Sequence, residues 1–166
     1  FRYLPGFRNE MRVTDVPIGA EPRVLFDDAG LKVSAVSVDH GDVPALAFRV
    51  EFDGRGLVVT GDLASRDEAV LSLARGADTL VYDTAVLDPP AAPPILYELH
   101  TSPRRIGEIA AAANVSTLVL SHLTPSVTEN QDKVMASIRA RFAGRVIFAS
   151  DCLRLELDSP RKAPAL

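Results

Sequence analysis

Four short runs of apolar and β-branched residues recur along the chain, and helical patterns separate them. The runs cover residues 57–60, 79–82, 115–120 and 145–149. Uninterrupted apolar runs of this length are typical of strands that are covered on both faces. The pattern therefore predicts an α/β architecture in which strands and helices alternate along the second part of the chain.

Each of these runs ends at a polar side chain. Asp62, Asp83, His122 and Asp151 follow the four runs in that order. Ligands in α/β layers bind at the carboxyl ends of the strands, so we expect Asp62 and His122 to lie along one such edge. Strand-end aspartates commonly cap the next turn, and this local role is the preferred interpretation of Asp83 and Asp151.

The first third of the chain has a different pattern. Apolar residues alternate with polar ones over residues 31–38, which predicts a half-buried strand in a hairpin with residues 24–26. A further strand over residues 45–52 is joined by turn residues 53–56 to the run at 57–60. We therefore expect antiparallel hairpins to lead into the α/β part.

The helical patterns carry recognisable start and stop signals. Helices are predicted over residues 65–76, 102–114 and 126–144. The first and third begin with capping-box patterns, Ser65 with Glu68 and Ser126 with Glu129. The final stretch, residues 145–157, predicts a closing strand pair or one long bent strand. Cys152, the only cysteine, lies in that stretch and is expected to be a buried, inert thiol.

Composition limits the class of protein. With 166 residues, 47% of them hydrophobic, the chain is long enough for a single domain with a sizeable core. A formal net charge of −4 provides no basic footprint for nucleic acid. No stretch approaches the roughly 20 apolar residues of a membrane span, and no secretory leader pattern is visible. These features predict a cytoplasmic protein without a membrane partner.

The chain has three histidines, and each lies at the start of a loop. They are His40, His100 and His122. Imidazole nitrogens together with the carboxylate of Asp62 would make a donor set suited to Zn²⁺, Mn²⁺ or Fe. No HExxH or CxxC spacing is present, so any such ligands have to meet through the fold. The alternative is that each histidine is structural.

Five segments in order carry a family resemblance. They are VDHG (38–41), VPALAFR (43–49), VVTGD (58–62), ELHTSP (98–103) and LVLSHLTP (118–125). Together they resemble the carboxy-terminal half of a metallo-β-lactamase-fold hydrolase, in the branch with ribonuclease Z and arylsulfatase-like enzymes. The resemblance covers about residues 24–157 and implies half of an αββα sandwich, a mixed sheet with helices on one face.

The resemblance also implies a role for each matching residue. His40 would bind one metal ion, His122 a second, and Asp62 would bridge the two. His100 would contact the scissile phosphate or sulfate as a catalytic residue. Two Zn²⁺ ions about 3.5–4 Å apart would clamp the ester oxygen and activate a water molecule. The implied protein is thus a metal-dependent hydrolase.

One element of the family pattern is missing from this sequence. The HxHxDH string, which supplies four metal ligands in the family, occurs nowhere in it. Residues 1–166 are therefore expected to form a single but incomplete domain, inactive alone and with low metal occupancy, that has lost its amino-terminal half. The apolar face of such a half sandwich predicts a homo-oligomer or association with the missing half.

The spacing between His40 and Asp62 bears on the substrate. One hairpin joins them, which leaves no room for the tRNA-gripping arm that ribonuclease Z proteins carry there. Together with the acidic charge balance, this predicts a small sulfate, phosphodiester or lactone-type ester as substrate and no nucleic-acid partner. Two alternatives stay open: a catalytically silent binding or assembly module of the same fold, and an unrelated α/β domain.

Overall fold

The computed structural model describes residues 15–17, 19, 21–64, 66 and 68–156. Within these residues, seven strands form one sheet whose spatial order follows the chain. The strands are β1 (Arg23–Asp28), β2 (Leu31–Val38), β3 (Ala45–Phe52), β4 (Arg55–Val59), β5 (Thr79–Asp83), β6 (Thr117–Ser121) and β7 (Arg145–Phe148). The helices are α1 (Ala69–Ala74), a 3-10 helix (Pro94–Glu98), α2 (Pro103–Ala112), α3 (Pro125–Thr128) and α4 (Gln131–Arg139).

The first four strands pair antiparallel, as the alternating pattern predicted. Two-residue turns connect β1 to β2 and β3 to β4. Ala29 and Gly30 have φ angles of 49° and 81°, and Asp53 and Gly54 have φ angles of 50° and 70°. Positive φ at both central residues matches the right-handed twist of the flanking strands. The turn chemistry therefore sets the register of both hairpins.

The last four strands are parallel, and the connections between them contain the helices. Strand residues such as Val58, Leu80 and Leu118 are completely buried, and they share one core with Ile106 of α2 and Ile138 of α4. The described helices thus pack on one face of the mixed sheet, which confirms the predicted architecture. No helix in the described part of the chain is long and apolar enough to cross a membrane.

The other face of the sheet carries apolar side chains that remain accessible. Phe26, Phe48, Phe52 and Val59 are between 38% and 58% exposed. In register, Phe48 lies opposite Val59, so these side chains share a face. Among the described residues, no helix covers this face. The sheet is therefore the kind of layer that one half of a sandwich provides.

The one-sided core leads to a stability prediction. Leu118→Ala, at a completely buried position, is expected to lower the free energy of unfolding by about 2–5 kcal/mol. Val59→Ala, on the neighbouring accessible face, is the control and is expected to cost at most about 1 kcal/mol. Urea unfolding of both variants checks this. Equal losses would show that the outer face is also packed in solution.

The end of the chain differs from the prediction. β7 stops at Phe148, and no strand follows within the described residues up to 156. The chain turns instead: the Leu153 N–H donates to the Ser150 carbonyl at 3.1 Å, and Cys152 has a φ of 61°. Cys152 is consequently exposed, so the expectation of a buried thiol was wrong. The turn removes it from the sheet that would have covered it.

The helix starts also need correction. The predicted third helix is two helices, α3 and α4, and its cap is Thr124, whose hydroxyl accepts from the Val127 N–H. Pro125 occupies the first turn, so the chain enters the helix earlier than the Ser126–Glu129 pattern indicated. The Ser65–Glu68 capping box involves Ser65, which lies outside the described residues; Glu68 itself precedes α1 without a side-chain cap.

Candidate functional site

Three neighbouring parallel strands deliver polar side chains to one edge of the sheet. Asp62 follows β4, Asp83 is the last residue of β5, and His122 follows β6. Asp83 is paired in register with Ser121, which places His122 directly beside it. The carboxyl edge thus gathers side chains that are far apart in sequence, as parallel topology requires.

Asp83 connects two of the histidines. Its Oδ2 lies 2.6 Å from Nδ1 of His100, and its Oδ1 lies 3.0 Å from Nδ1 of His122. The Leu63 N–H also donates to Oδ2, at 3.3 Å. The Asp83 side chain is 1% exposed, and this burial raises the pKa of its carboxyl, while the His100 hydrogen bond acts in the opposite direction. Asp83 is therefore a buried bridge between two imidazoles.

His122 is held in an unusual backbone conformation. Its φ is 53°, in the left-handed region that residues other than glycine rarely adopt. Its Nδ1 lies 3.1 Å from Oδ1 of Asp62 as well as 3.0 Å from Asp83. Strained positions of this kind persist only where the surroundings hold them, and they concentrate at functional sites. The turn after β6 thus aims the His122 ring at both carboxylates.

His40 completes a row of three imidazoles. Its ring centroid lies 5.4 Å from that of His100, which in turn lies 5.4 Å from that of His122. Nδ1 of His40 lies 2.8 Å from the Leu99 carbonyl oxygen, which can only accept, so this nitrogen carries the proton. The other ring nitrogen of His40 is then left as a ligand or acceptor.

The Leu99 carbonyl, and not the neighbouring carboxylate of Asp39 or Asp42, orients the His40 ring. Asp39 accepts from the Gly41 N–H at 3.0 Å and lies 3.5 Å from a guanidinium nitrogen of Arg66. Its carboxylate therefore stabilises the turn that contains His40. Asp42 is exposed.

The backbone after His100 is anchored by buried hydroxyl groups. The Thr101 hydroxyl donates to the Leu63 carbonyl at 2.9 Å, and the Tyr82 hydroxyl lies 3.3 Å from the Thr101 oxygen. Both residues are almost completely buried. Because α2 begins immediately afterwards at Pro103, His100 is fixed between an anchored loop and a helix. The ring is therefore positioned before any ligand binds.

The structure brings His40, Asp62, His100 and His122 into one cluster and adds Asp83 to it. Sequence reasoning had preferred a turn-capping role for Asp83. The available signal was its place at the end of a strand next to the one that ends at His122. Asp151, the other strand-end aspartate, is exposed in the turn after β7.

The donor set at this edge fits a metal ion. Asp83, His100 and His122 each offer one ligand atom, and these atoms lie within 4.8 Å of one another. Imidazole nitrogen with carboxylate oxygen suits Zn²⁺ and other first-row metals. This group shares His122 with the predicted ligand set, and Asp62 lies within 3.1 Å of the same ring.

Matches to known proteins agree with this fold. Residues 2–123 match the β-lactamase superfamily domain. Ribonuclease Z of Mycolicibacterium paratuberculosis is 34% identical over 146 residues, which cover 82% of this chain and 51% of that protein. The chain thus spans about half the length of the curated relatives it matches.

Two solved structures share the fold. The metallo-β-lactamase fold protein YhfI from Bacillus subtilis superposes with a TM-score of 0.64 at 20% identity, covering 78% of this chain and 50% of that one. Human tRNase Z, short form, superposes with a TM-score of 0.65 at 21% identity, covering 84% and 48%. The fold is therefore that of the metallo-β-lactamases. The chain belongs to the β-lactamase superfamily, and the predicted family is confirmed.

The predicted partners were wrong. A small-molecule ester and the exclusion of nucleic acid conflict with relatives that are named ribonuclease Z and that match 82% of this chain. The short hairpin between His40 and Asp62 shows only that no arm is inserted there. Net charge is a sum over the whole surface, so a value of −4 does not describe the surface around one site.

Proposed function

We propose that this chain forms part of the active site of a metal-dependent phosphodiesterase that acts on RNA, of the ribonuclease Z type. The observation that carries the proposal is the buried Asp83 carboxylate between His100 and His122, at 2.6 and 3.0 Å. The ribonuclease Z relatives favour a phosphodiester over the sulfate and lactone esters considered from sequence. An RNA substrate also favours a cytoplasmic location.

We assign metal binding to His40, Asp62 and His122, with Asp83 beside them. Zn²⁺ is the proposed ion, two per complete site, and the same donors suit Mn²⁺ or Fe. A bound metal would supply Lewis-acid chemistry at the scissile phosphate and lower the pKa of a water molecule to about 7. The fixed Nδ1 proton of His40 leaves its other nitrogen suited to this task.

We assign proton transfer to His100. Its Nδ1 is engaged by Asp83 at 2.6 Å, so Nε2 is the nitrogen left to reach a substrate. The Asp83 carboxylate accepts from Nδ1 and so fixes the orientation of the ring. A protonated Nε2 can then donate to the leaving oxygen of the phosphodiester as general acid. Asp83 acts through His100 in this step as a positioning residue.

The site needs more ligands than this sequence contains. His40, Asp62 and His122 are three protein ligands, which would be too few to hold two metal ions. We propose that residues outside this sequence, of the HxHxDH kind that it lacks, complete the coordination. The single domain formed here would then be one part of the catalytic domain.

Metal content tests this assignment. The full-length product that contains this sequence is expected to hold about two metal ions per chain, and residues 1–166 alone close to none. Native mass spectrometry and elemental analysis measure both. Almost no metal on the full-length product would overturn the proposed function, because the clustered histidines would then have a structural role.

A cleavage assay tests the substrate class. Full-length protein loaded with Zn²⁺ is incubated with a structured RNA that carries a single-stranded extension, and with DNA of the same sequence as control. Cleavage of the RNA that stops on chelation of the metal is expected. Hydrolysis of DNA alone, or of neither nucleic acid, would contradict an RNA phosphodiesterase.

A further inference from the structure

A small pocket lies beside His100 and is lined by basic side chains. It has a volume of about 180 Å³, and its walls include Arg66, Arg105, Tyr97 and Ser102 as well as His100. Arg66 precedes α1, whereas Arg105 lies in the first turn of α2. Two guanidinium groups from separate parts of the chain therefore border the pocket that His100, the proposed general acid, also lines.

A larger depression continues from this pocket. It has a volume of about 650 Å³, and Arg104 and Arg141 line it. Pro89 and Ser102 line both cavities, so the two lie side by side. We name the combined surface the arginine groove; its four cations are Arg66, Arg104, Arg105 and Arg141.

Three of these arginines converge on one carboxylate. Arg105, Arg104 and Arg141 lie 3.4, 3.6 and 3.8 Å from Glu108. One carboxylate cannot use the five N–H donors of each of three guanidinium groups, and all three side chains are at least 39% exposed. Donors of these guanidinium groups that Glu108 does not use are therefore available to a further ligand.

The groove gathers four guanidinium groups on a protein of net charge −4. Among the described residues, the carboxylates of Glu108, of Asp39 beside Arg66 and of Asp88 in the wall lie close to them. Guanidinium groups are well suited to phosphate because their planar donors match its oxygens in pairs.

We propose that the arginine groove binds the phosphate backbone of the RNA strand next to the scissile phosphate. It would thereby set the direction in which the bound strand runs away from His100. This inference rests on the proposed function. Arg66 and Arg105 would contact the phosphate nearest His100, and Arg104 and Arg141 the phosphates further along. Contacts of this kind position the strand without reading its bases.

The test measures RNA binding against salt concentration. Full-length protein with Arg104→Gln and Arg141→Gln together is compared with wild type and with a control carrying Arg23→Gln and Arg145→Gln. The control makes the same change of charge on strands β1 and β7, at exposed positions outside the groove. Probes are a single-stranded RNA long enough to span the groove and a dinucleotide. Thermal melting establishes that every variant is folded.

The groove variant is expected to bind the long RNA at least about tenfold more weakly than wild type. The slope of log Kd against log salt should fall by about 1.4, since each lost single-strand phosphate contact contributes about 0.7. The dinucleotide should be affected much less. Arg104→Lys with Arg141→Lys should recover most of the slope, because the charges are retained.

The outcomes separate this proposal from the proposed function. If wild type cleaves the long RNA, and groove and control variants bind it with the same affinity and salt slope, the groove assignment is wrong while the function stands. If wild type neither binds nor cleaves RNA but hydrolyses bis(p-nitrophenyl) phosphate, both the RNA substrate and the groove are overturned, and only phosphodiester chemistry remains.

Discussion

His100→Ala in the full-length protein is expected to reduce the turnover of an RNA phosphodiester by about 10²–10⁴-fold. The physical reason is the loss of a proton donor whose Nδ1 is already held by Asp83 at 2.6 Å and whose backbone is anchored at Thr101. Metal content should stay unchanged, because His40, Asp62 and His122 are the assigned ligands. Turnover and metal per chain are therefore measured on the same preparation.

Substrates with different leaving groups sharpen this experiment. A proton donor matters most when the leaving oxygen is basic, as in RNA. It matters little for p-nitrophenolate, which leaves without protonation. His100→Ala should consequently impair RNA cleavage far more than hydrolysis of bis(p-nitrophenyl) phosphate. A purely structural role would reduce both reactions by the same factor.

Two results would contradict the assignment of His100. Loss of metal together with activity would make His100 a ligand, as the spacing of Asp83, His100 and His122 within 4.8 Å also allows. Unchanged turnover would favour the catalytically silent module. Glu98→Ala, an exposed position two residues before His100, is the matched control and is expected to retain full activity.

Asp83→Asn is expected to lower both metal affinity and turnover, each by about 10–100-fold. The substitution keeps the shape of the side chain but removes the charge that faces His100 and His122. An amide can donate as well as accept, so the two imidazoles lose an acceptor that holds their Nδ1 atoms in place. Metal titration and steady-state kinetics measure the two losses separately.

A double-mutant cycle shows whether Asp83 acts through His100. If it does, then at saturating metal concentration Asp83→Asn should add little to the loss of turnover that His100→Ala already causes, because residues acting as a unit are not additive. Asp151→Asn is the control: it makes the same change in the exposed turn after β7 and should have no effect. Fully additive losses would indicate that Asp83 contributes to metal binding and does not position His100.

The sheet was largely predictable because its signals are local. The apolar runs at β4, β5 and β6 and the alternation in β2 depend only on which side chains are neighbours along a strand. The two hairpin turns depend on Gly30 and Gly54, which adopt positive φ without steric cost. The prediction of a strand after Phe148 was wrong for the same reason. The apolar residues there resemble a strand locally, but the chain leaves the sheet at a turn.

The sequence indicated candidate residues for the site, but it could not predict their hydrogen-bond partners. His40, Asp62, His100 and His122 stood out as histidines and an aspartate at element ends. Which group holds each ring is a long-range question: Asp83 is 17 residues from His100 and 39 from His122, and Leu99 is 59 residues from His40. The parallel register of β5 and β6 pairs Asp83 with Ser121, next to His122. An aspartate that was expected to cap a turn therefore becomes a buried bridge.

The sequence by itself determined most of the strand and helix pattern, the family and the chemical types at the carboxyl edge, because these depend on short-range order and residue identity. The tertiary structure alone decided the position of Asp83 between two imidazoles, the exposure of Cys152 and the clustering of the four arginines. Arg104 and Arg141 share the arginine groove because α2 packs closely on α4, where a Cβ on Gly107 would lie 2.9 Å from the Ile138 carbonyl oxygen. The net charge is a sum over the whole chain and does not depend on packing. It therefore could not show that four arginines gather near His100 on an acidic protein.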